Sequence, residues 1–178
     1  AGLAISEGLR SQVNGLNVAA RNAQDGISVI QTAEGALTQV HSILQRVRDL
    51  AVQAGNDSNN PASRDAIKTE IDTLGEELTR VAESTNFNGI KLLNGDNAAL
   101  TFQVGAGAVA AEDQISVTLT DFSTLGATVG ALTVDTAANA ATSIAAIDTQ
   151  ITNVSTARAG IGAVQNRFES TINSLQVS

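Results

Sequence analysis

The chain has 178 residues, with 10 Lys and Arg against 18 Asp and Glu, a net charge of −8, no Cys, no Trp, no Tyr and one His. That length allows one domain, and the negative field repels phosphate backbones and anionic headgroups, so neither nucleic acid nor a membrane is an expected partner. Without Cys, disulfides, thiolate metal sites and cysteine nucleophiles are excluded.

Apolar residues make up 43% of the chain but aromatics only 2%, so burial falls to Ala, Val, Ile and Leu, which suits helices packed at close range. No run of about 18 apolar residues offers a membrane span, and the start, AGLAISEGLRSQ, has neither the basic nor the apolar region of a signal peptide. Both ends stand inside a helical pattern and read as cuts in a longer protein.

From Leu9 the apolar positions Leu9, Val13, Leu16, Ala20, Ala23, Ile27 and Ile30 alternate by fours and threes, the seam of a coiled coil. It resumes through Ala33, Leu37, Val40, Leu44, Val47, Ala51 and Ala54, so two spacings of three meet near Ile30 and predict a stammer. A first helix over about residues 2–54 would be roughly 75 to 80 Å long at about 1.5 Å per residue. GNDSNN ends it, and Asn60-Pro61 starts a second helix over about 61–84, with Asn as the cap and Pro in the first turn. The seam of that helix is Ile67, Ile71, Leu74, Leu78 and Val81.

A β region is expected over about 86–135. Asn88-Gly89 and Asn94-Gly95 supply the positive φ of tight turns, and two period-two stretches, Leu100-Phe102-Val104 and Ile115-Val117-Leu119, read as a hairpin with one buried face. Between Ser123 and Val134 only Leu132-Thr133-Val134 carries a weak strand signal. A third long helix follows over about 139–177, with Ile144, Ile147, Ile151, Val154, Ala157, Ile161, Val164, Phe168 and Leu175 as its seam. Its own pair of threes at Ile151-Val154-Ala157 suggests that both overwound points lie at one level, with Leu16 near Ser170 and Leu44 near Thr142. The expected fold is mainly α with a small β region: a long antiparallel, coiled-coil-like bundle of three helices plus a β-hairpin lobe, in one domain over 1–178.

Catalytic candidates are sparse. His41 lies on a helix with no nucleophile or ligand motif beside it, and the adjacent Glu76 and Glu77 point in different directions. Asp96, Glu112 and Asp113 stand near turns without the twelve-residue calcium loop, and the Gly105–Gly107 segment lacks what would complete a phosphate loop. No enzymatic activity, metal or cofactor is expected. The informative anomaly is Leu50, which lies between Arg46 and Gln53 at i, i+4 and i+7, off the main seam. It either covers the edge of the second helix or forms a small apolar contact surface with a polar rim.

Long strings of the chain resemble signatures of bacterial flagellin, in that family's order: residues 1–37 (AGLAISEGLRSQVNGLNVAARNAQDGISVIQTAEGAL), LQRVRDLAVQ at 44–53, NFNGIKLL at 86–93, FQVGAGA at 102–108 and GAVQNRFESTINSL at 162–175. The resemblance implies the rod-like core domain of a filament subunit, extracellular, whose terminal polymerisation helices are missing, so that the fragment is monomeric. Implied partners are other flagellin subunits, cap and junction proteins of the flagellum, and the innate immune Toll-like receptor 5. For that receptor the motif LQRVRDLAVQ carries over Gln45, Arg46, Leu50 and Gln53, joined by Glu70 on the second helix, with Asp49 standing where Glu is usual. Arg46 would offer a fork of donors, Leu50 an apolar anchor, Gln53 a polar rim and Glu70 a carboxylate, although Arg46 and Glu70 are also placed to pair with each other. Alternative readings are a hook-filament junction protein and a secreted coiled-coil adaptor or adhesin.

Overall fold

The structure, a computed structural model, describes residues 2–177. In chain order the elements are α1 (Gly2–Ala54), α2 (Pro61–Ser84), β1 (Asn86–Phe87), β2 (Ile90–Lys91), β3 (Ala99–Gln103), α3 (Ala110–Asp113), β4 (Gln114–Thr118), α4 (Leu125–Gly130) and α5 (Ala137–Val177). The fold is mainly α with two small antiparallel β pairs, β1–β2 and β3–β4. The chain divides into two compact units: Ala1–Gln31, Ala99–Thr118 and Gly160–Ser178 form the first, Thr32–Ala98 and Leu119–Ala159 the second.

In the first unit the N-terminal part of α1, the β3–β4 hairpin and the C-terminal part of α5 share one core. The expected hairpin forms, in a register that sets Leu100 opposite Val117 and Phe102 opposite Ile115. Ile115 and Val117 are buried, the inward face of an alternating strand. Phe168, fully buried, meets Phe102 edge to face with ring centroids 5.4 Å apart. Its ring also occupies the space above Gly26, where an added Cβ would fall 2.6 Å from Phe168 Cε1. Asn22 Nδ2 donates to the Gln103 carbonyl at 3.0 Å and ties α1 to the end of β3.

Burial corrects the expected seam of α1. From Ala19 to Ala54 one buried stripe alternates by fours and threes without a break, through Ala19, Ala23, Gly26 and Ile30 and not through Ala20 and Ile27, with Val29, Ala36 and Leu50 buried beside it. The stammer near Ile30 disappears once Gly26 is counted, a position that an apolar criterion passes over. Leu9 and Val13, expected on the seam, are 62% and 54% exposed, and Leu3 and Ile5 are exposed as well.

The second unit holds the C-terminal part of α1, α2, β1–β2, α4 and the N-terminal part of α5. Asn60 caps α2 in a reciprocal box: its Oδ1 accepts from Ser63 N at 2.8 Å, and Ser63 Oγ accepts from Asn60 N at 3.0 Å. Arg64, one turn into α2, reaches back and donates to the Ala54 carbonyl at 3.0 Å, satisfying an acceptor that the end of α1 leaves open. Asn88 (φ 52°) and Gly89 (φ 82°) make the two-residue turn that joins β1 to β2.

Between Ser123 and Val134 the structure forms α4, and Leu132-Thr133-Val134, the weak strand signal, follows it without joining a strand. Gly75 of α2 and Gly126 of α4 are both buried, and a Cβ on Gly75 would lie 2.9 Å from the Gly126 carbonyl oxygen. The two helix backbones touch because neither carries a side chain there. Lys68 Nζ donates to Gly130 O at 2.7 Å and closes the end of α4.

On α5 the buried residues Ala140, Ile147, Val154, Ile161 and Phe168 recur every seven positions. The intervening seam positions are the half-buried Ile144, Ile151, Arg158 and Gln165 and the buried Ile172. Arg158, not Ala157, therefore occupies the seam, and the second expected stammer is absent too. Within this unit Arg48 meets Asp148 and Glu34 meets Arg158. That register places Leu44 level with a point about two turns beyond Thr142, so the expected Leu44–Thr142 pairing is displaced.

Candidate functional site: the exposed face of the first two helices

Arg46 and Glu70 stand on neighbouring turns of α1 and α2 in the second unit. The Arg46 fork closes on one oxygen: Nε and Nη2 both donate to Glu70 Oε1, at 2.9 and 2.7 Å. Both side chains stay about half exposed, 52% for Arg46 and 45% for Glu70. Gln45, Asp49 and Gln53 are exposed on the same helix. Together these residues form a polar face whose guanidinium already has a carboxylate partner, so an incoming group must either share that pair or break it.

Leu50 departs from the expectation of an exposed apolar anchor. It is 2% accessible, flanked in sequence by the buried Val47 and Ala51, and its side chain is used inside the fold. The packing alternative for Leu50 is the one the geometry supports, and Val52, 50% exposed, is the aliphatic side chain that this part of α1 presents outward.

Neighbouring charges are paired rather than poised for chemistry. The Arg48 guanidinium donates to Asp148 at 2.7 Å and holds that carboxyl below the usual aspartate range. Arg80 likewise hydrogen-bonds Glu77 one turn away and lowers its pKa. Glu76 is exposed beside it without joining the pair. His41 is half-buried with an unpartnered, buried Nδ1, and no nucleophile or carboxylate is bonded to that atom. Among the described residues no cluster of three or more His, Asp or Glu is placed to hold a metal ion.

The glycine segment after β3 is architectural. Gln103 Nε2 donates to the carbonyls of Gly105 and Gly107 at 3.0 and 2.7 Å. Asp113 Oδ2 accepts from Val109 N at 3.0 Å and lies 2.8 Å from where a Gly107 Cβ would be. The glycines make room for that carboxylate, and the loop turns around it.

Long helices with two small antiparallel β pairs define a mainly helical class of protein. The model of the bacterial flagellin N-terminal helical region matches residues 1–98, and that of the flagellin C-terminal helical region matches residues 144–178. The chain belongs to the bacterial flagellin family. It is 47% identical over 176 residues to a flagellin of Halalkalibacterium halodurans, covering 98% of this chain and 64% of that protein. With polar flagellin F of Vibrio parahaemolyticus it shares 48% over 130 residues, which is 73% of this chain and 34% of that protein. The chain thus spans between a third and two thirds of the length of these relatives. Among solved structures it superposes on the crystal structure of Bacillus cereus flagellin with a TM-score of 0.75 at 33% identity, covering 87% of this chain and 88% of the other. A candidate flagellar hook-associated protein from Vibrio parahaemolyticus shares the fold at a TM-score of 0.78 and 16% identity, over 95% and 88% of the two chains.

Proposed function

We propose that this chain is the core of a structural subunit of the extracellular flagellar filament, without chemistry of its own, and that the exposed face of α1 and α2 is its contact surface for Toll-like receptor 5. The filament reading rests on family membership at both helical regions, with other flagellin subunits and the cap and junction proteins of the flagellum as partners. The fold likeness to a candidate hook-associated protein comes at 16% identity, against 47% for a flagellin, so the filament subunit is preferred to a junction protein.

The receptor reading rests on the half-exposed Arg46–Glu70 pair bordered by the exposed Gln45 and Gln53. In it Arg46, Glu70, Gln45 and Gln53 touch the receptor, and Leu50 supports them from beneath. An exposed ion pair contributes about 0 to 1 kcal/mol to stability, so its removal leaves the fold intact, whereas a desolvated contact at the centre of an interface carries far more. Titration of the protein against the Toll-like receptor 5 ectodomain is expected to show binding that Arg46→Ala weakens at least tenfold with an unchanged melting temperature. Equal binding by Arg46→Ala would remove the face from the proposal. Leu50→Asp is not a useful contact probe, because it would bury a carboxylate and report on folding. For the filament, residues 1–178 exchanged into the Halalkalibacterium halodurans flagellin are expected to give filaments by electron microscopy. A folded, secreted chimera that stays monomeric would count against the subunit reading.

A further inference from the structure

In the second unit α1 and α5 each carry an aliphatic, largely buried seam that nearly repeats every seven residues. Leu37 recurs as Leu44 and Val40 as Val47 on α1; Ile144 recurs as Ile151 and Ile147 is followed by Val154 on α5. Sliding α5 along α1 by one heptad sets aliphatic groups against aliphatic groups again, so this packing discriminates poorly between registers.

Two ion pairs of opposite polarity also join the helices. Arg48 of α1 donates to Asp148 of α5, Nε to Oδ1 at 2.7 Å and Nη2 to Oδ2 at 3.5 Å. Glu34 Oε1 of α1 accepts from Arg158 Nε at 3.0 Å and lies 2.8 Å from its Nη2, and Thr38 Oγ1 accepts from the same Nη2 at 3.4 Å. Arg158 occupies a seam position, with its side chain only 33% exposed.

We infer that these two pairs, and not the apolar seam, set the register of α1 against α5 in this unit. A slide of one heptad brings Arg158 opposite His41 and Asp148 opposite Gly55 in one direction, and opposite Ile27 and His41 in the other; neither restores a carboxylate to Arg158. A slide of two heptads is worse. It faces Arg158 with Arg48 in the first direction and Asp148 with Glu34 in the second, like charges each time. Each misregistered state therefore strands a half-buried guanidinium or sets charges of one sign together, while the native state satisfies all four groups.

Because the chain has no Cys, two engineered ones set well apart along the helix axis report the register: nitroxide labels at Gln39→Cys on α1 and Ala141→Cys on α5, both exposed, read by pulsed electron-electron resonance. The otherwise unchanged protein is expected to give one narrow distance. Arg48→Leu with Arg158→Leu is expected to keep its helicity and add a second distance, since a heptad slide is about 10 Å along the axis. A single unchanged distance in that variant would overturn the inference. Should it fail to fold, charge reversal decides: Glu34→Arg alone is expected to broaden the distribution and Glu34→Arg with Arg158→Glu to narrow it again. Equal distributions in those two proteins would overturn the inference as well.

Discussion

Gly26 shows how a residue with no side chain can direct a core. In an isolated helix, Ala in place of Gly gains about 1 kcal/mol. Here the added Cβ would press into the Phe168 ring, so Gly26→Ala is expected to lose about 1 to 3 kcal/mol by denaturant unfolding. Combining it with Phe168→Leu is expected to recover part of that loss, because the shorter side chain vacates the contested space. A second residue-scale prediction concerns acid. Arg48 holds the Asp148 carboxyl below its ordinary value of 3.8, chiefly by hydrogen bonding, so ionised Asp148 favours the folded state. Because the folded pKa is the lower one, this contribution is fully present above about pH 4 and is lost as pH falls through the depressed value. Thermal melts across pH are expected to show wild type above Asp148→Asn at neutral pH, with the gap closing below pH 3.8. A gap that stayed constant down to pH 2 would mean that the pair does not act through Asp148 ionisation. Leu50, Gly26 and Arg158 were also the residues hardest to place from sequence. Each violates the rule that apolar residues mark the seam: one is buried beside it, one is buried without a side chain, and one is charged and on it.

Elements whose cause is local were legible. Asn60-Pro61 starts a helix because the Asn carbonyl and the Ser63 hydroxyl satisfy free amides within one turn. Asn88-Gly89 makes a tight turn because those two residues accept positive φ, and the β3–β4 hairpin follows from alternation on both strands. The helix α4 was not legible, since LGATVG is a poor helix by propensity and its reason for forming lies elsewhere in the chain. It exists where Gly126 meets Gly75 and Lys68 closes its last carbonyl. Gly126→Ala would put a Cβ 3.0 Å from Thr79 N and against the Gly75 carbonyl, so α4 is expected to lift from α2. Hydrogen exchange at the Thr128 and Ala131 amides, which bond to Thr124 O and Ala127 O, is expected to accelerate at least tenfold. Protection equal to wild type would show that the crossing yields without cost.

At the scale of the molecule, α1 and α5 each supply residues to both compact units, while the β3–β4 hairpin belongs to the first and α2 with α4 to the second. The flagellin likeness was legible over most of the length because it lies in long uninterrupted strings, and the family match covers the same two ends of the chain. The division into two units was not, since it depends on which distant segments share a core. That division coincides with the placement of the four phenylalanines: Phe102 and Phe168 lie in the first unit, Phe87 and Phe122 in the second. With no Trp or Tyr, intrinsic fluorescence is nearly blind to this protein, yet the same scarcity makes it well suited to fluorine spectroscopy. Fluorinated phenylalanine would give four resonances, two per unit, and a single heating series would then follow the melting of each core by its own pair of signals.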